Sequence, residues 1–229
     1  MEVKVITITE DILGANEEKA KSNRSLLDRH GILTVNVMSS PGAGKTSLIM
    51  QTIQGMKDKA RIGVIEGDIA SSLDAETIHK QGIPVVQINT TGGCHLDANM
   101  VERAMENLPL SDIDLLLIEN VGNLVCPAEF ALGEHKRAMI LSTPEGSDKP
   151  HKYPLMFTET DVVLINKVDL LPYLDFDTAS FIKAVKGLNP KGQILQVSCT
   201  TGKGLEDWFS WLEHQMKERS SHTSADTSI

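Results

Sequence analysis

Seven short stretches dominated by apolar residues recur along the chain: Ile32 to Met38, Arg61 to Glu66, Ile83 to Ile88, Asp114 to Ile118, Arg137 to Leu141, Val162 to Ile165 and Gln193 to Val197. Most are continuous rather than alternating, which is the pattern of strands covered on both faces. Stretches of helical periodicity lie between them. Asp11 to His30 reads as an amphipathic helix with Ile12, Leu13, Ala20, Leu26 and Leu27 facing the core, and Gly31 stops it. Thr46 to Met56, Leu96 to Asn107, Asp177 to Leu188 and Leu205 to Met216 predict further helices. The alternation predicts an α/β fold of three layers, a mostly parallel seven-stranded sheet with helices on both faces. Three regions are expected: an N-terminal arm and helix over 1–31, the α/β domain over 32–217 and a disordered tail over 218–229. Val3 to Ile8 alternates and suits an edge strand or an arm against a partner, whereas Ser220 to Ile229 is small and polar.

Ligands in open α/β sheets bind beyond the carboxyl ends of the strands, and five polar motifs fall there. The first is Ser39-Ser40-Pro41-Gly42-Ala43-Gly44-Lys45-Thr46, between an apolar strand and a helix. Backbone N–H groups of Gly42, Ala43, Gly44 and Lys45 can wrap a phosphate at the helix N-terminus, with Ser47 in the first turn. Lys45 would reach the β- and γ-phosphates and the Thr46 hydroxyl would hold Mg²⁺. The motif normally opens with Gly; Ser39 stands there and reaches positive φ at a greater cost. Asn166-Lys167-Val168-Asp169 follows the sixth strand. Its carboxylate can accept from the ring N–H and exocyclic amine of guanine, a donor pair that adenine lacks. Ser198-Cys199-Thr200 would support the base. For Mg²⁺, Asp68 after the second strand is a candidate metal or water contact, Asp74 either joins it or caps the next helix, and Glu119-Asn120-Val121-Gly122 stands where many GTPases carry D-x-x-G.

A thiol and imidazole set lies on the same side: Gly92-Gly93-Cys94-His95 after the third strand, and Cys126-Pro127 after the Glu119 motif. The Gly pair favours a bend that turns Cys94 and His95 outward together. Thiolate plus imidazole suits Ni²⁺, Zn²⁺ or copper. Three ligands leave a position open, or a site completed across a symmetric dimer, unlike a closed structural zinc site.

The chain has 229 residues and a net charge of −9, with 22 Lys and Arg against 31 Asp and Glu. One domain of that size buries a full core, and the acidic balance argues against nucleic acid as a partner. Three cysteines make a poor disulfide framework and fit a reducing cytoplasm. No apolar run reaches the length of a membrane span and no signal peptide is expected at the start.

The chain resembles the HypB family of hydrogenase nickel-incorporation GTPases from about Leu33 to Glu213. The resemblance rests on Glu66-Gly67-Asp68-Ile69-Ala70, Gly93-Cys94-His95-Leu96-Asp97-Ala98, Ile118 through Pro127, Asp148-Lys149-Pro150 with Lys152-Tyr153-Pro154, and Asn166 through Tyr173. The related urease GTPase UreG carries Cys-Pro-His, whereas Cys126-Pro127 is followed here by Ala128. The resemblance implies a SIMIBI-class P-loop GTPase that dimerises with GTP bound, and a nickel or zinc site at the dimer interface on Cys94, His95 and Cys126. It also implies maturation of [NiFe]-hydrogenase, with a HypA-type zinc protein and a hydrogenase large-subunit precursor as partners. Lys152 would reach the nucleotide of the opposite subunit. Residues 1–31 hold no Cys and one His, so the N-terminal nickel-binding segment of some members is not expected. Lys45, Asp68 and Glu119 are the expected catalytic residues of a slow GTPase using GTP, Mg²⁺ and Ni²⁺ or Zn²⁺. A urease-type insertion GTPase and a P-loop small-molecule kinase are the alternatives; Asn166 to Asp169 speaks against the kinase.

Overall fold

The computed structural model describes residues 8–68 and 73–226. Each apolar stretch forms a strand: β1 (Leu33–Ser39), β2 (Ile62–Asp68), β3 (Val85–Asn89), β4 (Leu115–Glu119), β5 (Lys136–Ser142), β6 (Val162–Asn166) and β7 (Gln193–Gln196). They make one sheet in the order β3-β2-β4-β1-β5-β6-β7, and every pairing is parallel. The expected mostly parallel sheet is therefore wholly parallel. β1, β4 and β6 are buried along their whole length, whereas β3 and β7 are only partly covered. That difference follows from their positions, since the last two are the edges.

The longer helices are α1 (Ile8–Arg29), α2 (Lys45–Met56), α3 (Leu73–His79), α4 (Ala98–Met105), α8 (Thr178–Leu188) and α9 (Leu205–Asp226). Three short ones, α5 (Cys126–Glu129), α6 (Lys149–Lys152) and α7 (Pro154–Thr158), lie in connections that show too few residues for a helical period. On one face of the sheet a continuous core joins Val35, Val37, Leu115, Leu117 and Ile140 to Leu48, Ile49 and Ile53 of α2 and to Trp208, Trp211 and Leu212 of α9. The other face holds two separate cores. One joins Met139, Leu141 and Val163 to Phe157 of α7 and Phe181 of α8; the other joins Leu116 and Ile118 to Leu27 of α1 and Val101 of α4. Between them β1 presents Thr34 and Asn36, both fully buried.

Element ends moved for local reasons. The helix expected from Leu96 begins at Ala98, because the Asp97 carboxylate accepts from Met100 N (2.8 Å) and caps it there. Asp177 caps α8 in the same way. α9 runs past the expected end at Met216, and residues 218–226, expected in a disordered tail, continue it. Arg219 there pairs with Asp28 at 2.7 Å and donates to Leu27 O, which anchors the extension to α1. The arm at Val3 to Ile8 lies outside the described residues except Ile8, which opens α1; residues 69–72 and 227–229 are also outside them.

Candidate nucleotide and metal site

Ser39 is the last residue of β1 and pairs in register with Ile140. Positive φ falls on Gly42 (75°) and Gly44 (108°) instead, so replacing the usual opening Gly by Ser needs no left-handed backbone. Gly44 is required twice over: besides its φ, a Cβ there would stand 2.4 Å from Asn166 Nδ2. Lys45 is buried, its Nζ donating to Ser39 Oγ at 3.1 Å, which folds the ammonium over the loop. Thr46 Oγ1 donates to Glu119 Oε1 at 2.9 Å, and Ser47 is exposed in the first turn of α2.

The loop after β6 is tied to this loop. Asn166 Nδ2 donates to Ala43 O (2.9 Å), while its Oδ1 accepts from Lys167 N (2.8 Å) and Cys199 N (3.3 Å). Lys167 adopts a left-handed backbone (φ 62°), which aims its Nζ back at Gly42 O (2.8 Å), and Thr143 Oγ1 holds its carbonyl (2.8 Å). Asp169 Oδ1 is buried with no hydrogen-bond partner. A buried acceptor left unmet costs about 1–3 kcal/mol, so the loop is set for an incoming donor. The Ser198 hydroxyl accepts from Thr201 N (3.1 Å), and Cys199 O accepts from Gln51 Nε2 (3.0 Å). Burial pushes the Cys199 thiol up to about 11, so it is a neutral thiol at pH 7 and unsuited to bind metal.

Glu66 and Glu119 stand side by side in the β2–β4 register, both buried. Asp68 ends β2 beside Asn89, and Asp74 is the second residue of α3. Lys152 is exposed on α6 and pairs with Asp148 at 2.5 Å, whose hydrogen bond raises its pKa. Glu145 was not anticipated, although Ser142-x-x-Glu145 is a legible capping box. Its Oε1 accepts from Ser142 N and Oγ (2.7 Å each), and its Oε2 accepts from Ser40 Oγ, which pins the phosphate loop to the end of β5.

Cys94 and His95 lie in a bend, and Cys126 opens α5. Cys94 Sγ is 3.1 Å from Cys126 Sγ and 3.4 Å from His95 Nδ1, and the three ligand atoms lie within 4.8 Å of one another. Two thiolates on one tetrahedral ion stand about 3.8 Å apart, so a small displacement admits a cation. The His95 ring rests on Phe130 (centroids 3.9 Å apart, planes at 32°). Burial lowers its pKa, which keeps the imidazole neutral and able to coordinate. The hydrogen bond from Cys94 raises the Cys126 pKa, with burial adding to it, so metal binding here would displace protons. Asn123 Nδ2 donates to Cys126 Sγ at 3.7 Å. Cys94 is exposed and the other two are half-buried.

A wholly parallel sheet, a strand–loop–helix phosphate cradle and a base loop tied to it together define a P-loop nucleotide-binding protein. The chain belongs to the CobW/HypB/UreG nucleotide-binding family, whose domain description matches residues 33–196, and within it to the HypB hydrogenase maturation factors. It is 49% identical to the hydrogenase maturation factor HypB of Rhizobium leguminosarum bv. viciae over 210 residues, 92% of this chain and 70% of that one. The structure of HypB from Helicobacter pylori in complex with nickel superposes with a TM-score of 0.85 at 37% identity, over 89% of this chain and 96% of that one. HypB from Archaeoglobus fulgidus superposes at 0.84 with 39% identity, over 89% of this chain and 99% of that one.

Proposed function

We propose that the chain hydrolyses GTP slowly and uses its nucleotide state to control a nickel site during [NiFe]-hydrogenase maturation. The observation that carries this reading is the path between the two sites. Glu119, hydrogen-bonded to Thr46, and Cys126, in contact with Cys94, belong to one connection. Its Gly122 lies so close to the phosphate loop that a Cβ would meet Pro41 N, Cα and Cγ at 3.0 Å. A change in the phosphate loop is therefore felt by the segment that carries a metal ligand.

In the nucleotide site, guanine would supply the two donors that Asp169 faces, with Lys167 over the base and Ser198 and Cys199 behind it. Lys45 would exchange Ser39 for the β- and γ-phosphate oxygens. The Thr46 and Glu119 oxygens suit Mg²⁺, with Asp68 and Asp74 as further candidates on backbone placement; the ion would neutralise charge developing on the phosphates. Asp68 or Glu119 would hold the attacking water in line. The motif stretches Ser39 to Ser47, Glu119 to Gly122 and Asn166 to Asp169 contain no arginine, and slow turnover is proposed on that ground.

Ni²⁺ is the cargo, bound by Cys94, His95 and Cys126, with Zn²⁺ as a competitor. Three ligands leave an open position, which suits exchange or completion by a second protomer in a GTP-bound dimer, where Lys152 would meet the opposite nucleotide. A HypA-type protein and a hydrogenase large-subunit precursor are the partners that the family resemblance implies; the relatives' names speak of hydrogenase maturation. The test follows phosphate release together with nickel release to a coloured chelator. GTP but not ATP should be hydrolysed, Lys45→Ala should abolish it, and nickel should leave at different rates in the GTP and GDP states. Equal turnover of ATP, or nickel release indifferent to nucleotide, contradicts the reading.

A further inference from the structure

Asn120 follows Glu119 at the end of β4 and is fully buried. Its carboxamide oxygen accepts from two backbone N–H groups, Leu96 N at 3.1 Å and Val121 N at 2.9 Å. Leu96 is the residue after His95, and Val121 begins the run to Cys126. One oxygen atom therefore ties together the two segments that carry all three thiol and imidazole groups.

The orientation of that amide is fixed from beyond the site. With its oxygen committed to two donors, the Asn120 Nδ2 must meet an acceptor, and it donates to Asn36 Oδ1 at 3.2 Å. Asn36 Nδ2 then donates to Glu134 Oε1 at 3.2 Å, and Glu134 is held by Arg137 Nε (2.7 Å) and Leu132 N (2.7 Å). In the sheet Asn36 sits in register between Ile118 and Arg137, along the polar seam that separates the two apolar cores of that face. Asn120 N also donates to Val37 O at 3.0 Å, which locks its backbone to β1. A buried network in which every member has one permitted polarity fixes its members firmly.

We infer that Asn120 is a positioning residue for the metal site, setting the separation of the Cys94-His95 bend from the Cys126 segment through this one oxygen. The inference rests on the reading that the cluster takes a metal ion. Ligand supports of this kind alter affinity by roughly 10–100-fold. Asn120→Leu removes the shared acceptor; Asn120→Asp keeps it while exchanging the donor to Asn36 for a buried carboxylate oxygen.

Ni²⁺ alone is titrated into the full chain, following thiolate-to-nickel charge-transfer absorption, with GDP affinity and unfolding midpoint measured in parallel. Leu212→Ala, in the core under α9, provides a destabilised control. At least a tenfold loss of Ni²⁺ affinity is expected in Asn120→Leu, larger than any loss of GDP affinity in the same variant. Asn120→Asp should bind Ni²⁺ within threefold of wild type with the same absorption spectrum, even though it buries a carboxylate and is less stable. Unchanged affinity in Asn120→Leu, or equal losses in the Leu and Asp variants and in Leu212→Ala, overturns the inference. Wild type that binds no Ni²⁺, or Cys94→Ala that binds as tightly as wild type, overturns instead the metal reading on which it rests. A fourth measurement needs no variant: in metal-free wild type the Leu96 and Val121 amides should exchange with solvent as slowly as those of β4, and fast exchange at both counts against the clamp.

Discussion

Asp169 Oδ1 is buried with no partner, so a base that brings donors relieves an existing penalty, and one that brings an acceptor deepens it. Asp169→Asn replaces part of the acceptor pair with an N–H donor. Its GDP affinity should fall about ten- to a hundredfold, the range of one charged hydrogen bond at about 1.5–3 kcal/mol. Xanthosine diphosphate, which carries an oxygen where guanine carries the amine, should become the tighter ligand. Competition binding of the two nucleotides reads the change, and unaltered preference for GDP would contradict this use of Asp169. The Asn-Lys-x-Asp residues were legible because their spacing and their place behind a strand are local. Asn120 was not: it differs from a solvated loop Asn only through partners at Leu96 and Asn36, which are distant in the chain.

Among the elements, α1 and α9 close over β1 through His135. Its Nδ1 accepts from Thr34 N (3.0 Å), so its Nε2–H donates to Asp28 (3.0 Å), and Asp28 is paired in turn with Arg219. Burial lowers the His135 pKa to about 4, and the Asp28 hydrogen bond only partly opposes it. The unfolded chain, with a value near 6.5, therefore takes up the proton first. Stability is unaffected above about pH 6.5 and declines as pH falls from there towards 4, by on the order of 2 kcal/mol at pH 5 from this group alone. Urea unfolding at pH 7 and pH 5 should show that loss in wild type and a smaller one in His135→Gln; parallel losses would contradict it. The connection from Glu119 to Cys126 makes a second prediction. Gly122→Ala needs no unusual φ but forces a Cβ against Pro41 backbone atoms at 3.0 Å. It should weaken GDP binding and alter the metal affinity together. A change in neither would show that the close approach transmits nothing. Strands and the α2, α8 and α9 starts were readable because their periods are long enough; α5, α6 and α7 are too short to have one, and Asp97 outcompeted Leu96 as the start of α4 by capping it.

Across the whole molecule, the chain runs from β1 outward to β2 and β3, returns to β4 beside β1, and then crosses to β5 on the other side. The reversal puts β1 at the switch point of the sheet, where ligands of open α/β sheets collect, and the phosphate loop leaves its carboxyl end. The same arrangement brings the end of β4 beside it and the ends of β2 and β6 one strand further out on either side, so motifs scattered from residue 39 to 202 converge at the carboxyl edge of the sheet. That convergence was legible because each motif directly follows a strand of a mostly parallel sheet, whose carboxyl ends all point the same way. The polar seam through Asn36 and Glu134 was not, since Asn36 reads as one polar residue in an otherwise buried strand. A nucleotide-gated carrier requires that nucleotide state reach the thiol and imidazole cluster. The direct measurement is titration of Ni²⁺ and Zn²⁺ with either GDP or a non-hydrolysable GTP analogue bound, with molecular mass followed in the same samples and Cys94→Ala/Cys126→Ala as control. The analogue should drive dimerisation and shift metal affinity, and the double variant should lose the shift. Metal binding indifferent to both the nucleotide and the two cysteines would contradict it.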